Sequence, residues 1–213
     1  NGVYVLSSDN NEIDNNTISS NDAEGLKLYS SDSNTIENNI IHNNHLVSED
    51  GDSDAGGIYL LLGSDSNTIS NNTIFNNTVE SEGYYGIYLS SSNSNTISNN
   101  IIDYNTDGTG IYLSSSDSNI ISVNTVKRND DGIILYDSDS NTVSGNSIVR
   151  NIESSIGVDG SNNIISNNTI FGDGVGDIGI SFGDVEGGTV TNNTIYDVDV
   201  GIFAGPHDSP SEI

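Results

Sequence analysis

The sequence predicts an all-β protein, a right-handed single-stranded parallel β-helix of about eight coils, each 22–24 residues long with three short strands. Three observations predict this solenoid: a repeated unit fills the chain, its strands are rich in β-branched residues, and asparagines recur at fixed places. We expect residues 1–213 to form a single β-helix domain that is a fragment of a longer protein. Longer loops are expected at 45–56 and 77–85.

Each repeated unit opens with an anchor glycine. The spacing between successive anchors is 22 to 24 residues in six of eight cases, and 32 and 29 residues after Gly25 and Gly57. A period in the low twenties is typical of one β-helix coil or one leucine-rich repeat, but a leucine-rich consensus is absent. The anchors are Gly2, Gly25, Gly57, Gly86, Gly110, Gly132, Gly179 and Gly201, with Ser155 in the remaining coil.

Three short strands fit within each unit, as at 57–60, 67–69 and 72–74. Side chains alternate between the two faces of a strand, so Ile58 is predicted to point inward and Tyr59 outward. The same alternation places an asparagine of the second and third strands on the inner side or at a corner.

These asparagines are predicted to stack in columns, one residue per coil. Stacked carboxamides hydrogen-bond to each other along a column, which satisfies polar groups that would be costly to bury unpaired. We interpret the columns as structural ladders rather than ligand sites. The first is Asn11, Asn34, Asn67, Asn95, Asn119, Asn141 and Asn163; the second is Asn16, Asn39, Asn72, Asn100, Asn124, Asn146, Asn168 and Asn193; the third is Asn21, Asn44, Asn77, Asn105, Asn129 and Asn151.

The charge of the chain excludes several functions. It has 31 acidic and 4 basic residues, for a formal net charge of −27. A nucleic-acid-binding protein needs a basic surface, and an anionic membrane would repel this one, so neither partner is expected. The negative charge is typical of a protein that is highly soluble or adapted to a salty medium, where ions screen the charge. The alternative interpretation is a surface that collects divalent cations. No apolar segment is long enough to insert directly into a membrane.

The segment D-S-N-T-I-S-N-N-T-I, repeated nearly verbatim at 65–74 and 93–102, resembles the NosD-like, or carbohydrate-binding-and-sugar-hydrolase, β-helix repeats. The resemblance covers almost the whole chain and implies a secreted or cell-surface protein. Members include adhesins, polysaccharide enzymes and accessory proteins, so it implies the fold more strongly than the function. A copper-accessory role would depend on His42 and His45, because soft-metal ligands are otherwise scarce.

Tyrosines on the outward face of the first strand are the candidate glycan-binding residues. In pectinase-like β-helix enzymes, the substrate cleft occupies this face and the corner ahead of the first strand. Flat aromatic rings suit stacking on sugar rings, although tyrosine is also a good strand residue that covers a sheet. The candidates are Tyr59, Tyr84, Tyr85, Tyr88 and Tyr112.

The first insertion contains a candidate calcium site. Alternating carboxylates in a glycine-bearing loop, here Glu49, Asp50, Asp52 and Asp54, suit an ion that prefers oxygen ligands. The bidentate glutamate of a calcium loop is missing, so a solvated acidic loop is the competing interpretation. Calcium is the one cofactor that the sequence indicates.

Two short segments resemble motifs of polygalacturonase-type glycosidases. The N-T-D segment ending at Asp107 and the pair Asp130 and Asp131 lie one coil apart at the same corner. The resemblance implies an acid and a base on either side of a glycosidic bond. The family's Gly-His-Gly and Arg-x-Lys motifs are missing, which puts the activity in doubt.

We therefore expect a non-catalytic extracellular or cell-surface rod that is structural, adhesive or glycan-binding. The alternative is a polygalacturonase-like glycoside hydrolase with Asp107, Asp130 and Asp131 as its carboxylates. Expected partners are a polysaccharide or another cell-surface protein, with end-to-end self-association of rods as a further alternative.

Overall fold

The computed structural model shows a parallel β-solenoid of about eight turns, and it describes residues 1–46, 55–79, 84–105, 108–173, 176–183 and 186–205. Every strand pairing within these ranges is parallel, and none of their residues is helical. The all-β solenoid predicted from the repeat is confirmed. No helix long and apolar enough to cross a membrane occurs in the described part of the chain.

Three long parallel sheets form the walls of the solenoid, and each coil contributes one strand to each sheet. The first sheet contains Val3–Leu6, Leu26–Tyr29, Ala55–Leu61, Tyr84–Ser90, Gly108–Ser114, Asp131–Tyr136, Ser154–Asp159, Ile178–Phe182 and Val200–Ala204. The second contains Glu12–Asp14, Thr35–Glu37, Thr68–Ser70, Thr96–Ser98, Ile120–Ser122, Thr142–Ser144, Ile164–Ser166 and Thr189–Thr191. The third contains Thr17–Ser19, Ile40–His42, Thr73–Phe75, Ile101–Asp103, Thr125–Lys127, Ser147–Val149, Thr169–Phe171 and Thr194–Tyr196.

The core is a set of aliphatic columns that run along the solenoid axis. Ile58 pairs with Leu26 of the coil before and Ile87 of the coil after, and all three side chains are fully buried. The second and third strands of that coil each add one buried isoleucine, Ile69 and Ile74. A few inward side chains per coil are enough to fill the interior, which explains how a chain with 32% hydrophobic residues folds.

The asparagine ladders exist, and each carboxamide has a double role. The Oδ1 atom of Asn100 accepts hydrogen bonds from both the backbone N–H (2.9 Å) and the Nδ2 (3.0 Å) of Asn72. Its own Nδ2 donates to Oδ1 of Asn124 at 3.0 Å and to the carbonyl oxygen of Ile69 at 2.9 Å. The side-chain chain is unbroken from Asn16 to Asn193.

The first column is less regular than the second. Among the described residues, the buried Nδ2 atoms of Asn95 and Asn141 find no acceptor. The backbone N–H of Asn95 still donates to Oδ1 of Asn119 at 2.7 Å. In the first column, backbone N–H groups therefore still donate to carboxamide oxygens at coils where the carboxamide Nδ2 has no acceptor.

Two further columns at the corner after the first strand were not predicted. Buried serines connect coils, since the backbone N–H of Ser92 donates to Oγ of Ser116 at 3.1 Å. Beside them a column of mostly aspartate side chains accepts backbone N–H groups, as Asp117 does from Asp139 at 2.8 Å. Part of the acidic composition is thus structural, because in five coils one carboxylate accepts a hydrogen bond from a backbone N–H of the next coil.

The segments predicted as long loops are partly strand. His45–Leu46 pairs with Thr78–Val79 as a small parallel sheet, and first-sheet strands already begin at Ala55 and Tyr84. The reason is that the repeat's hydrogen-bonding continues into both insertions. Residues 47–54 and 80–83 lie outside the described part.

We expect Asn100→Leu to destabilise the protein by about 2–4 kcal/mol, because a near-isosteric side chain leaves the buried donors of Asn72 and the carbonyl of Ile69 unsatisfied. Thermal denaturation followed by circular dichroism measures the effect. The matched control is Asn99→Gly: Asn99 is exposed at a φ of 58°, where the equivalent residue of a later coil is Gly145. Equal melting temperatures for the two variants would contradict a stabilising role for the ladder.

Candidate functional site

The outward row of the first sheet changes in size along the axis. Its members occupy equivalent positions in successive coils, and the strand register runs Tyr59, Tyr88, Tyr112, Ile134, Gly157 and Ser181. The outward side chain therefore changes from a tyrosine ring to a branched aliphatic chain at Ile134, a hydrogen atom at Gly157 and a hydroxymethyl group at Ser181. The sheet surface steps down beyond Tyr112 and becomes concave.

The tyrosine rings form a stacked cluster on the high side of this step. The ring of Tyr85 stacks on those of Tyr88 and Tyr112, with 4.7 Å between ring centroids in both pairs. Tyr59 meets Tyr88 edge-on at 5.1 Å. Tyr85, Tyr88 and Tyr112 are half-buried, so part of each ring is open to solvent. These three are called the tyrosine platform.

Tyr59 and Tyr84, two of the five candidate glycan-binding residues, are buried. Tyr59 points outward as predicted but has no exposed surface, and Tyr84 is 3% exposed. The reason for Tyr59 is that its ring lies across Gly56, where even a Cβ atom would come within 2.7 Å of the ring, and beneath the neighbouring tyrosines. The ring of Tyr59 therefore supports the platform from below.

A groove of about 310 Å³ lies where the surface steps down, and we call it the first-sheet groove. It continues into a recess of about 170 Å³ that shares Tyr112, Asp131 and Glu153 with it. The groove is lined by Tyr112, Asp131, Ile134, Leu135, Tyr136, Glu153, Ser154, Gly157, Val158, Asp159 and Ser181. Aromatic and carboxylate side chains thus converge on one concave surface.

Gly157 opens the floor of the groove. A Cβ atom at this position would lie 2.7 Å from Cδ1 of Ile134 and 3.5 Å from Oγ of Ser181. Since the Ile134 side chain lies over Gly157, any larger residue at position 157 would displace that side chain and fill the groove. The groove therefore depends on a residue with no side chain in the middle of a strand.

Asp131 is the most perturbed carboxyl group of the groove. Burial raises its pKa to about 6, and the nearby charges of Glu153 and Asp130 act in the same direction. A hydrogen bond from the backbone N–H of Ser154 to Oδ1, at 2.9 Å, opposes the shift. Asp131 therefore exchanges a proton near neutral pH, which an ordinary aspartate does not.

Tyr112 is perturbed as well. Burial, with the neighbouring Tyr85 and Tyr88 contributing, raises the pKa of its phenol to about 12. The hydroxyl stays protonated at physiological pH, so the wall of the groove keeps a neutral ring and a hydrogen-bond donor.

The structure brings together Asp130 and Asp131, whereas Asp107 lies outside the described residues. Glu153 joins them in the recess and was missed by the sequence analysis. A signal for it existed: Glu153 stands two residues before the anchor Ser155, as Asp130 stands two residues before Gly132. Equivalent positions in successive coils lie side by side.

The candidate calcium ligands Glu49, Asp50, Asp52 and Asp54 all lie outside the described residues. In the parts of the chain that are described, no three His, Cys, Asp or Glu side chains are grouped to hold a metal ion. The two histidines of the copper hypothesis have other contacts. His42 stacks on Phe75 with 4.8 Å between ring centroids, and Nδ1 of His45 lies 3.1 Å from the carbonyl oxygen of Thr78.

The chain matches the family model described as "Right handed beta helix region" over residues 1–148 and 74–211. No curated protein matches its sequence.

Among solved structures, it is similar to the periplasmic alginate epimerase AlgG, with 18% identity, a TM-score of 0.71, and coverage of 92% of this chain and 47% of that one. It is also similar to a DFA-IIIase from Arthrobacter chlorophenolicus A6, with 14% identity, a TM-score of 0.66, and coverage of 84% and 47%. The Streptococcus pneumoniae surface protein and adhesin PfbA has 12% identity and a TM-score of 0.48, with coverage of 95% and 68%. The chain spans about half the length of the first two proteins, and at these identities the likeness shows the fold alone.

We expect Asp131→Asn to stabilise the protein at pH 7.5 by about 1–3 kcal/mol, with little effect below pH 4. The pKa of Asp131 is raised from 3.8 to about 6 in the folded state, so the folded form binds more protons between these values. Its favourable contribution is therefore complete below pH 4 and lost as the pH rises through 6. The asparagine keeps an acceptor for the Ser154 N–H.

Thermal melts of both proteins from pH 3.5 to 8 measure this difference. Glu37→Gln, on the second sheet, removes one negative charge away from the groove and controls for net charge. A difference between Asp131→Asn and the parent that stays constant across this range would show that Asp131 titrates normally.

Proposed function

We propose that this chain, which belongs to the right handed beta helix family, binds a polysaccharide in its first-sheet groove and acts as a rigid extracellular binding module. The observation that carries the proposal is the groove itself. It places the rings of Tyr112 and Tyr136 and the carboxylates of Asp131 and Asp159 around a floor opened by Gly157.

These side chains supply the two interactions that sugars require. Aromatic rings pack against the apolar faces of pyranose rings, and carboxylate oxygens accept hydrogen bonds from sugar hydroxyl groups. Tyr136 is 52% exposed and forms one side of the groove, while Tyr112, which also belongs to the tyrosine platform, forms one end. A sugar ring in the groove would meet both kinds of group at once.

The length of the groove favours a polymer over a single sugar. Its lining extends from Tyr112 to Ser181, which are three coils apart in the strand register. Adjacent strands are about 4.8 Å apart, so this part is about 14 Å long, and the tyrosine platform extends it further. One neighbour in fold is named an alginate epimerase, which supports a carbohydrate ligand, but at 18% identity we carry over none of its site residues.

The rigidity of the site also suits binding. Its residues stand on strands that are hydrogen-bonded to a coil on each side, so little ordering is needed when a ligand arrives.

We expect Tyr112→Ala and Gly157→Leu each to weaken polysaccharide binding at least about tenfold, the first by removing a stacking surface and the second by filling the groove. Affinity electrophoresis through gels containing neutral and acidic polysaccharides, with and without calcium, measures retardation. The matched control is Tyr4→Ala, which removes an exposed tyrosine of the same outward row outside the groove. Equal retardation of all three variants and the parent would place any binding surface elsewhere.

A second candidate function is hydrolysis of the bound glycan. The specific observation in its favour is the raised pKa of Asp131, which suits a general acid, beside the carboxylate of Glu153. In an inverting hydrolysis, Asp131 would protonate the glycosidic oxygen. Glu153 would take a proton from the water that attacks the anomeric carbon.

We expect any hydrolysis to be lost in both Asp131→Asn and Glu153→Gln, because each variant removes one proton transfer. Binding of a neutral polysaccharide is retained, because each substitution keeps the shape of the groove. Release of reducing ends from a retarded polysaccharide is the measurement. Binding without new reducing ends in the parent protein would leave the non-catalytic module alone.

A further inference from the structure

The first-sheet groove combines negative charge with the absence of any basic side chain in its lining. Asp131, Glu153 and Asp159 all face it, and none of its lining residues is a lysine or arginine. Lys27 pairs with Glu24, and Lys127 and Arg128 pair with Asp103, all away from the groove. The three groove carboxylates therefore have no ion-pair partner within the described residues.

Grouping Asp131 with Glu153 and Asp130 has an energetic cost. The charges of Glu153 and Asp130 both disfavour ionisation of Asp131, in addition to the effect of burial. A cation in the groove would relieve this repulsion and would gain from the reduced solvent screening of a half-enclosed site.

The geometry favours an organic cation over a metal ion. No cluster of acidic or histidine side chains in the described residues is arranged to hold a metal. By contrast, the rings of Tyr112 and Tyr136 line the same groove as the carboxylates. An ammonium group has three donors for carboxylate oxygens and is attracted to the face of an aromatic ring.

We infer that the groove recognises a polysaccharide whose sugars carry protonated primary amines, and that it discriminates against polyuronates. This inference rests on the proposed function and names the ligand class of the same site. The sugar rings would stack on Tyr112 or Tyr136 while their ammonium groups pair with Glu153, just before the strand Ser154–Asp159, or with Asp159 at its end. A uronate would bring a second carboxylate to a surface that has no cation for it.

The observations favour an amine-bearing sugar over a lysine-rich polypeptide. The tyrosine platform continues from the groove with part of each ring exposed, and its rings lie 4.7 to 5.8 Å apart. Such an apolar surface suits the apolar sides of successive, rigid pyranose rings. A flexible lysine side chain would use the carboxylates but little of the platform.

The test is isothermal titration at pH 6 with four probes: a glucosamine hexamer, an N-acetylglucosamine hexamer, a galacturonate hexamer and hexalysine. We expect the glucosamine hexamer to bind at least about tenfold more tightly than its N-acetylated counterpart, and the galacturonate hexamer not to bind. The double variant Glu153→Gln/Asp159→Asn should lose this preference, since the two hexamers would then differ only in bulk. Raising the salt concentration should reduce the preference in the parent.

The matched control is Glu12→Gln/Glu37→Gln, which removes the same number of charges from the second sheet and should keep the preference. Melting curves of both double variants verify that they fold. Equal affinity for the two glucosamine-based hexamers, with binding lost in Tyr112→Ala, would overturn the amine inference and leave the proposed function standing. Hexalysine that binds as tightly as the glucosamine hexamer would overturn recognition of the sugar. Failure of all the oligosaccharides to bind would overturn the inference and the proposed function together.

Discussion

The buried carboxamide is the interaction on which this solenoid depends. Every coil must turn sharply between its strands, and at each turn backbone N–H groups face the interior instead of a neighbouring strand. In the second column, one Oδ1 atom accepts the backbone N–H and the Nδ2 of the coil before, as Asn100 does for Asn72. An asparagine is short enough to stay in the corner and has both a donor and an acceptor, so the same side chain serves in coil after coil.

This constraint divides the molecule into a repetitive interior and a free exterior. Inward positions are mostly aliphatic, asparagine or serine, because each is packed against its equivalents above and below. Outward positions are not part of the core, so the outward row can change from Tyr112 to Ile134 to Gly157 in successive coils. The groove results from this variation of the outward residues. Its carboxylates lie on a solenoid that is stabilised by the buried residues.

The sequence predicted the frame well and the site only in part. The burial of periodic residues such as Ile58 and Asn100 can be predicted from the sequence. A buried position tolerates few side chains, so the same residue types recur at that position in successive repeats. The burial of Tyr59 was not predictable, since it depends on how neighbouring rings lean across one another. Glu153 was missed because a single acidic residue in an acidic chain carries no signal until the coil register places it beside Asp131. The proton affinity of Asp131 likewise depends on burial, which no local pattern indicates.

The direction of the ladders has a consequence for evolution. All side-chain bonds of the second column run the same way, from Nδ2 of one coil to Oδ1 of the next. A coil copied by gene duplication would therefore fit between any two others without a new kind of contact, provided that it keeps its orientation. Unequal crossing-over between near-identical units would lengthen or shorten the rod in whole coils. Variation among such genes would then separate into two classes: changes in rod length, which leave the interior chemistry unchanged, and point substitutions in the outward row, which alter what the surface binds.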